Sequence, residues 1–148
     1  MKVLHKCPDM IRDWPKVIHK RADVIRKRLK VYIAGPMRGI IDFNYPRFNS
    51  CAQSLREIGW DVVNPAEIGA KHGTPEQINA NPELLTLVTN IELCALKSCD
   101  AIFMLEGWNT SQGAKNELAA AIAAGLEVYV WPTIAVPHYE GETWRAEP

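Results

Sequence analysis

The chain has 148 residues, 47% hydrophobic and 23% charged, the range of one globular domain with a sizeable core rather than two. Its longest apolar runs, 119–124 and 128–131, fall far short of the roughly 20 residues of a membrane span. The charged first 30 residues hold no apolar stretch with a cleavage site, so a cytoplasmic protein is expected. The zero net charge is unevenly divided: residues 1–30 carry ten Lys/Arg against three Asp, and residues 31–148 carry seven against fourteen Asp/Glu. Such a basic arm suits either nucleic acid or an acidic protein surface, and docking on this chain's own acidic body, or a second copy of it, is the preferred expectation.

In chain order, Ile18, Ala22, Ile25 and Leu29 form one apolar stripe with Pro15 at the first turn, so an amphipathic helix is predicted over 16–29. Lys30–Ala34 (KVYIA) is a β-branched and aromatic run before Gly35-Pro36, a buried first strand ending in a sharp turn. Residues 46–58 put Phe48, Cys51, Ala52, Leu55 and Ile58 on one helical face that stops at Gly59. A second strand follows at 60–63. The polar, Gly- and Pro-containing stretch 64–82 reads as one long loop, a length often associated with function. A helix is predicted at 83–98, a strand at 101–105, a turn at 106–110, an Ala-rich helix at 112–124 closed by Gly125, and a strand at 127–131.

Short, wholly apolar strands alternating with helices imply an α/β fold, with a parallel sheet of four to five strands covered on both faces. The expected division is a basic helical extension over 1–29, a Rossmann- or flavodoxin-like domain over 30–133 and a tail over 134–148. Ligands of such sheets bind beyond the carboxyl ends of the strands, which directs attention to the loops after Ala34, Val63 and Leu105. Four dispersed cysteines (Cys7, Cys51, Cys94, Cys99) and four dispersed histidines show no metal-ligand spacing, so no metal and no disulfide framework are expected.

In the first loop Gly35 and Gly39 allow a ligand close to the backbone, and Arg38 offers a planar fork suited to phosphate or carboxylate. Taken alone, the same residues also fit a simple turn with a surface charge. In the third loop Ser111 precedes a helix, next to Gly113, an arrangement that suits either a bound anion or self-capping. Glu117 lies one and a half turns into that helix, at the margin of the stripe Ala114, Leu118, Ala121 and Ile122, with small alanines around it. Glu92 stands on the face of Leu85, Val88 and Leu96. Carboxylates on apolar stripes are costly unless used, and two of them on separate helices are able to divide glycosidic cleavage between nucleophile and proton donor. Trp108 is a candidate for stacking on a base, though a loop tryptophan more commonly packs on its neighbours, and Asp100 reads as structural.

Val31 to Gly39 (VYIAGPMRG), Asp100 with its strand, and Gly107 to Ala120 (GWNTSQGAKNELAA) together resemble the nucleoside 2-deoxyribosyltransferase superfamily, especially its short phage and bacterial members, over roughly residues 30–132. The superfamily contains transferases that exchange bases on 2′-deoxyribose and glycosidases that hydrolyse nucleoside 5′-monophosphates. The resemblance implies that Glu117 is the nucleophile at C1′. It puts Tyr32 and Arg38, with Gly35, Met37 and Gly39 of the same loop, near sugar and phosphate. It puts Ser111 and Gly113 at the 5′-phosphate. Glu92 stands where the family usually has an aspartate that assists proton transfer, and Pro36 where the glycosidases have a serine. No cofactor is implied. The partner expected is a nucleoside or nucleotide, with hydrolysis favoured over transfer, in a homodimer or higher oligomer whose neighbouring subunit completes the pocket. The alternative is a protein that captures a nucleotide in the same pocket without turnover.

Overall fold

Strand β1 (Lys30–Ala34) lies at the centre of an all-parallel sheet because its residues are apolar on both sides and fully covered. The computed structural model describes residues 28–130 of the chain. With β2 (Asp61–Val63), β3 (Ala101–Met104) and β4 (Glu127–Val130), the strand order is β2-β1-β3-β4. Tyr32 pairs with Val63 on one side and with Ile102 on the other, which aligns the carboxyl ends of β1 and β3. The architecture is a single flavodoxin-like α/β domain, as expected from the sequence.

Alternation along the strands sorts the core into two layers. Val31, Ile33, Ala101 and Phe103 meet Phe48, Cys51, Ala52 and Leu55 of α1 (Tyr45–Glu57) on one face. Tyr32, Ala34, Ile102 and Met104 face the other way. They meet Leu96, together with Ala114, Leu118 and Ala121 of the Ala-rich helix at Gln112–Ala123.

The segment 64–82 corrects the long loop expected from its composition. It holds α2 (Pro65–Ala70) and α3 (Pro75–Ala80), and it leads directly into α4 (Pro82–Lys97). Leu96 of the second core layer lies on α4, and the final helix, Gln112–Ala123, is α5. Each of the three prolines at 65, 75 and 82 sits in a first helical turn, where its missing N–H is no loss. Each follows a capping side chain: Asn64 accepts from the Ala66 N–H, Thr74 from the Gln77 N–H, and Asn81 from the N–H groups of Glu83 and Leu84. Gln77 returns a bond to the Thr74 N–H, completing a capping box. Prolines that looked like helix breakers are helix starters.

A second correction concerns Leu29, assigned to the amphipathic stripe. It is buried in the sheet core and its carbonyl accepts from the Asp61 N–H. The rest of the predicted N-terminal helix, the basic arm and the C-terminal tail lie outside the described residues. Among the described cysteines, Cys51 and Cys99 are buried and Cys94 is exposed. No helix among the described residues is long and apolar enough to cross a membrane.

Asp100 is structural, as expected. Its carboxylate accepts from the Lys30 N–H at 2.9 Å, and its own N–H and C=O bridge β1 to β4. It therefore sets the register at the amino end of the sheet, opposite the site.

Candidate functional site

The connection after β1 turns toward α1, on one face of the sheet, and the connection after β3 leads to α5, on the other. The crevice between two adjacent strands whose connections diverge in this way is where open α/β sheets bind ligands. A cavity of about 780 Å³ opens there, lined by the first loop, α3, α4 and the start of α5.

Gly35 follows β1 at a tight place in the cavity wall. A Cβ built on it would lie 2.8 Å from the Leu105 Cβ, so only glycine lets the ends of β1 and β3 approach this closely. Pro36 is buried and its carbonyl accepts from the Asn44 side-chain amide at 2.8 Å. That bond ties down an unusual turn: Asp42, Phe43 and Asn44 all take left-handed φ values of 53°, 51° and 61°. Three consecutive non-glycine residues there cost on the order of 1 kcal/mol each. The turn carries Phe43 onto the cavity wall. Met37, half-buried against the core, and the exposed Arg38 and Gly39 complete this side.

The opposite side comes from α5. Ser111 caps it by accepting from the Ala114 N–H at 3.2 Å, one of the two roles that suited this serine, and the residue also lines the cavity. The first-turn N–H groups of Gln112 and Gly113, also at the cavity, are not satisfied by that cap. An ion pair of 2.6 Å between Arg47 of α1 and Glu106 braces the two sides against each other. Both side chains are partly exposed, so it positions more than it stabilises.

The chemistry is concentrated in two glutamates that lie far apart in sequence. Glu117 on α5 and Glu92 on α4 both line the cavity. The Tyr32 hydroxyl, fully buried beneath, donates to the Glu117 carboxylate at 2.7 Å. Burial pushes the Glu117 carboxyl up to about 8; the Tyr32 hydrogen bond opposes this and the nearby Glu92 charge adds to it. Burial alone pushes Glu92 up to about 7, and no hydrogen bond or ion pair joins it to the described residues. The Tyr32 phenol is held well above its ordinary value by burial and by the two carboxylates. Two interacting carboxyls titrating just above neutrality share about one proton near pH 7 to 8.

Of the residues singled out in the sequence, Gly35, Met37, Arg38, Gly39, Glu92, Ser111, Gly113 and Glu117 line this one cavity, with Tyr32 beneath Glu117. Trp108 does not line it; it packs against the core layer of α4 and α5. Sequence reasoning missed Phe43, Tyr45, Ile78 and Thr89, which also line the cavity. For Ile78 the available signal was the Thr74-Pro75 cap, which predicts a helix where a loop was read.

Residues 29–130 match the family described as a domain of unknown function, DUF4406, and the chain belongs to that family. Its structure is similar to that of a 2-deoxyribosyltransferase from the psychrotolerant bacterium Bacillus psychrosaccharolyticus, described as a biocatalyst for nucleoside synthesis. The two share 25% identity, with a TM-score of 0.53 over 68% of this chain and 70% of that one. No curated protein matches.

Proposed function

We propose that this member of the DUF4406 family cleaves the N-glycosidic bond of a (deoxy)nucleoside or its 5′-monophosphate, with hydrolysis of the monophosphate favoured over transfer to a second base. The observation that carries the proposal is the carboxyl pair of Glu117 and Glu92, one of them held by Tyr32, in a cavity at the switch point of the sheet. The likeness to a 2-deoxyribosyltransferase supports the same class of reaction.

In this mechanism the Glu117 carboxylate attacks C1′ of the sugar. The C1′–N bond breaks, its electron pair leaves with the base, and Glu92 supplies the proton the base takes. The ester formed between Glu117 and C1′ is then displaced by water, which loses a proton to Glu92, or by a second base. A pair that holds one proton, and so carries one negative charge, suits this division of labour, with the carboxylate as nucleophile and the acid as proton donor. In the free protein the proton rests on Glu117, which titrates near 8 against about 7 for Glu92. A base nitrogen that accepts a hydrogen bond from Glu92 draws the proton to that side, and the Tyr32 hydroxyl favours the charge left on Glu117.

Preference for the monophosphate rests on Arg38, whose guanidinium has no ion-pair partner among the described residues, and on the Ser111 hydroxyl and the first-turn N–H groups of α5 across the cavity. The test is incubation with deoxynucleosides and their 5′-monophosphates, read by chromatography of released base. Release that vanishes in Glu117→Ala supports the mechanism, and release at the parent rate in that variant refutes it. Tight nucleotide binding without release selects the non-catalytic alternative.

A further inference from the structure

The two ends of the cavity differ in chemistry. Arg38, Ser111 and the start of α5 form a polar end suited to phosphate and sugar. The end formed by α2, α3 and α4 is walled by Ile78, Leu85 and Val88, apolar side chains suited to the faces of a flat ring. A base bound there presents nitrogen and oxygen atoms around its edge, and those atoms need partners. Burying them unpaired is costly.

Tyr45 supplies one. It is the first residue of α1, its ring packs against the core layer, and it lines the cavity. Its hydroxyl lies directly over Gly69 in α2: a Cβ on Gly69 would stand 2.7 Å from the Tyr45 oxygen and 3.6 Å from the Ile78 Cδ1. Glycine inside a helix is disfavoured relative to alanine. Here it leaves the space that the hydroxyl occupies. That hydroxyl has no hydrogen-bond partner among the described residues, unlike Tyr32, whose hydroxyl is engaged by Glu117. Tyr45 also lies within the electrostatic reach of Glu92, the proposed proton donor to the base. Thr89, one turn before Glu92, lines the same end. Thr86 on the same helix returns its hydroxyl to the Pro82 carbonyl, whereas Thr89 makes no such bond.

We infer that the Tyr45 hydroxyl, seated over Gly69, hydrogen-bonds the edge of the departing base, which makes Tyr45 a specificity-determining residue. The inference rests on the glycosidase reading above and assigns the base to the α2–α4 end of its cavity. A hydroxyl both donates and accepts, so it favours bases presenting a group at that position and leaves the others unaided.

The test compares the parent, Tyr45→Phe and Gly69→Ala on dAMP, dGMP, dCMP and dTMP, with circular dichroism to verify folding. Tyr45→Phe keeps the ring and loses only the hydroxyl, while Gly69→Ala keeps the hydroxyl and displaces it. Both are expected to lower kcat/KM for the preferred nucleotide roughly tenfold and for the poorest less than twofold, narrowing the preference. Equal losses on all four nucleotides, unchanged ratios, or a parent without preference overturn the inference. If the parent releases no base, the glycosidase reading fails by itself, and equilibrium dialysis of the same four nucleotides decides the inference. A narrowed spread of affinities in both variants supports it, and an unchanged spread or no binding overturns it.

Discussion

Glu117→Gln separates the catalytic role of this carboxyl from its effect on stability, because the two move in opposite directions. The amide keeps the shape and an oxygen able to accept from Tyr32, but it cannot ionise. In the parent the carboxyl titrates near 8 in the folded state against an ordinary 4.5, mainly because it is buried. Below pH 4.5 it is neutral in folded and unfolded chains alike, and parent and variant are expected to have similar stability. As pH rises from there the unfolded chain ionises and the folded one resists, so the parent loses stability until pH passes about 8. At about 1.4 kcal/mol per pH unit between 4.5 and about 8, the full loss is on the order of 5 kcal/mol. The variant escapes it. At pH 9 its Tm is expected to exceed the parent's by roughly 10 °C, with little difference at pH 4.5. Base release is expected to vanish in the same protein. Thermal unfolding at pH 4.5, 7 and 9, beside the chromatographic assay, measures both. A variant no more stable than the parent at pH 9 refutes the buried, charge-penalised environment assigned to Glu117, and undiminished base release refutes its role as nucleophile.

The pH dependence of kcat/KM is expected to be a narrow bell with its maximum between about 7 and 8, since activity needs one proton on the Glu92–Glu117 pair. A flat profile from pH 5 to 10 contradicts shared-proton catalysis. Arg38→Ala is expected to raise KM about tenfold for a 5′-monophosphate while leaving the matching nucleoside almost unchanged. Equal effects on both remove Arg38 from the phosphate site. Gly35→Ala forces the Cβ toward Leu105 and is expected to destabilise the fold by about 1–3 kcal/mol, measured by urea unfolding. No loss of stability there means that β1 and β3 separate easily at the cavity wall.

The central strand, the three long helices and both glutamates were legible in the sequence for one reason. Each is a local pattern, an apolar run such as KVYIA or a carboxylate interrupting a helical stripe, and the physics behind such patterns acts over a few residues. The segment 64–82 was misread because proline was weighed as a breaker without its capping partner. The signal at Asn64-Pro65, Thr74-Pro75 and Asn81-Pro82 was equally local. Trp108 looked like a stacking residue for the opposite reason: its loop was known, but the side of the sheet it packs against was not.

By itself, then, the sequence determined the alternation of parallel strands and helices, the loops that bound the ligand crevice and the two carboxyls worth testing. Tertiary structure alone brought Glu92 and Glu117 to one cavity, set Tyr32 beneath Glu117 and laid the Tyr45 hydroxyl over Gly69. These juxtapositions depend on strand order and on helix packing between distant segments, which no periodicity along the chain encodes. The raised carboxyl values follow from the same source, because burial in a shared cavity is a property of the assembled core and not of either helix.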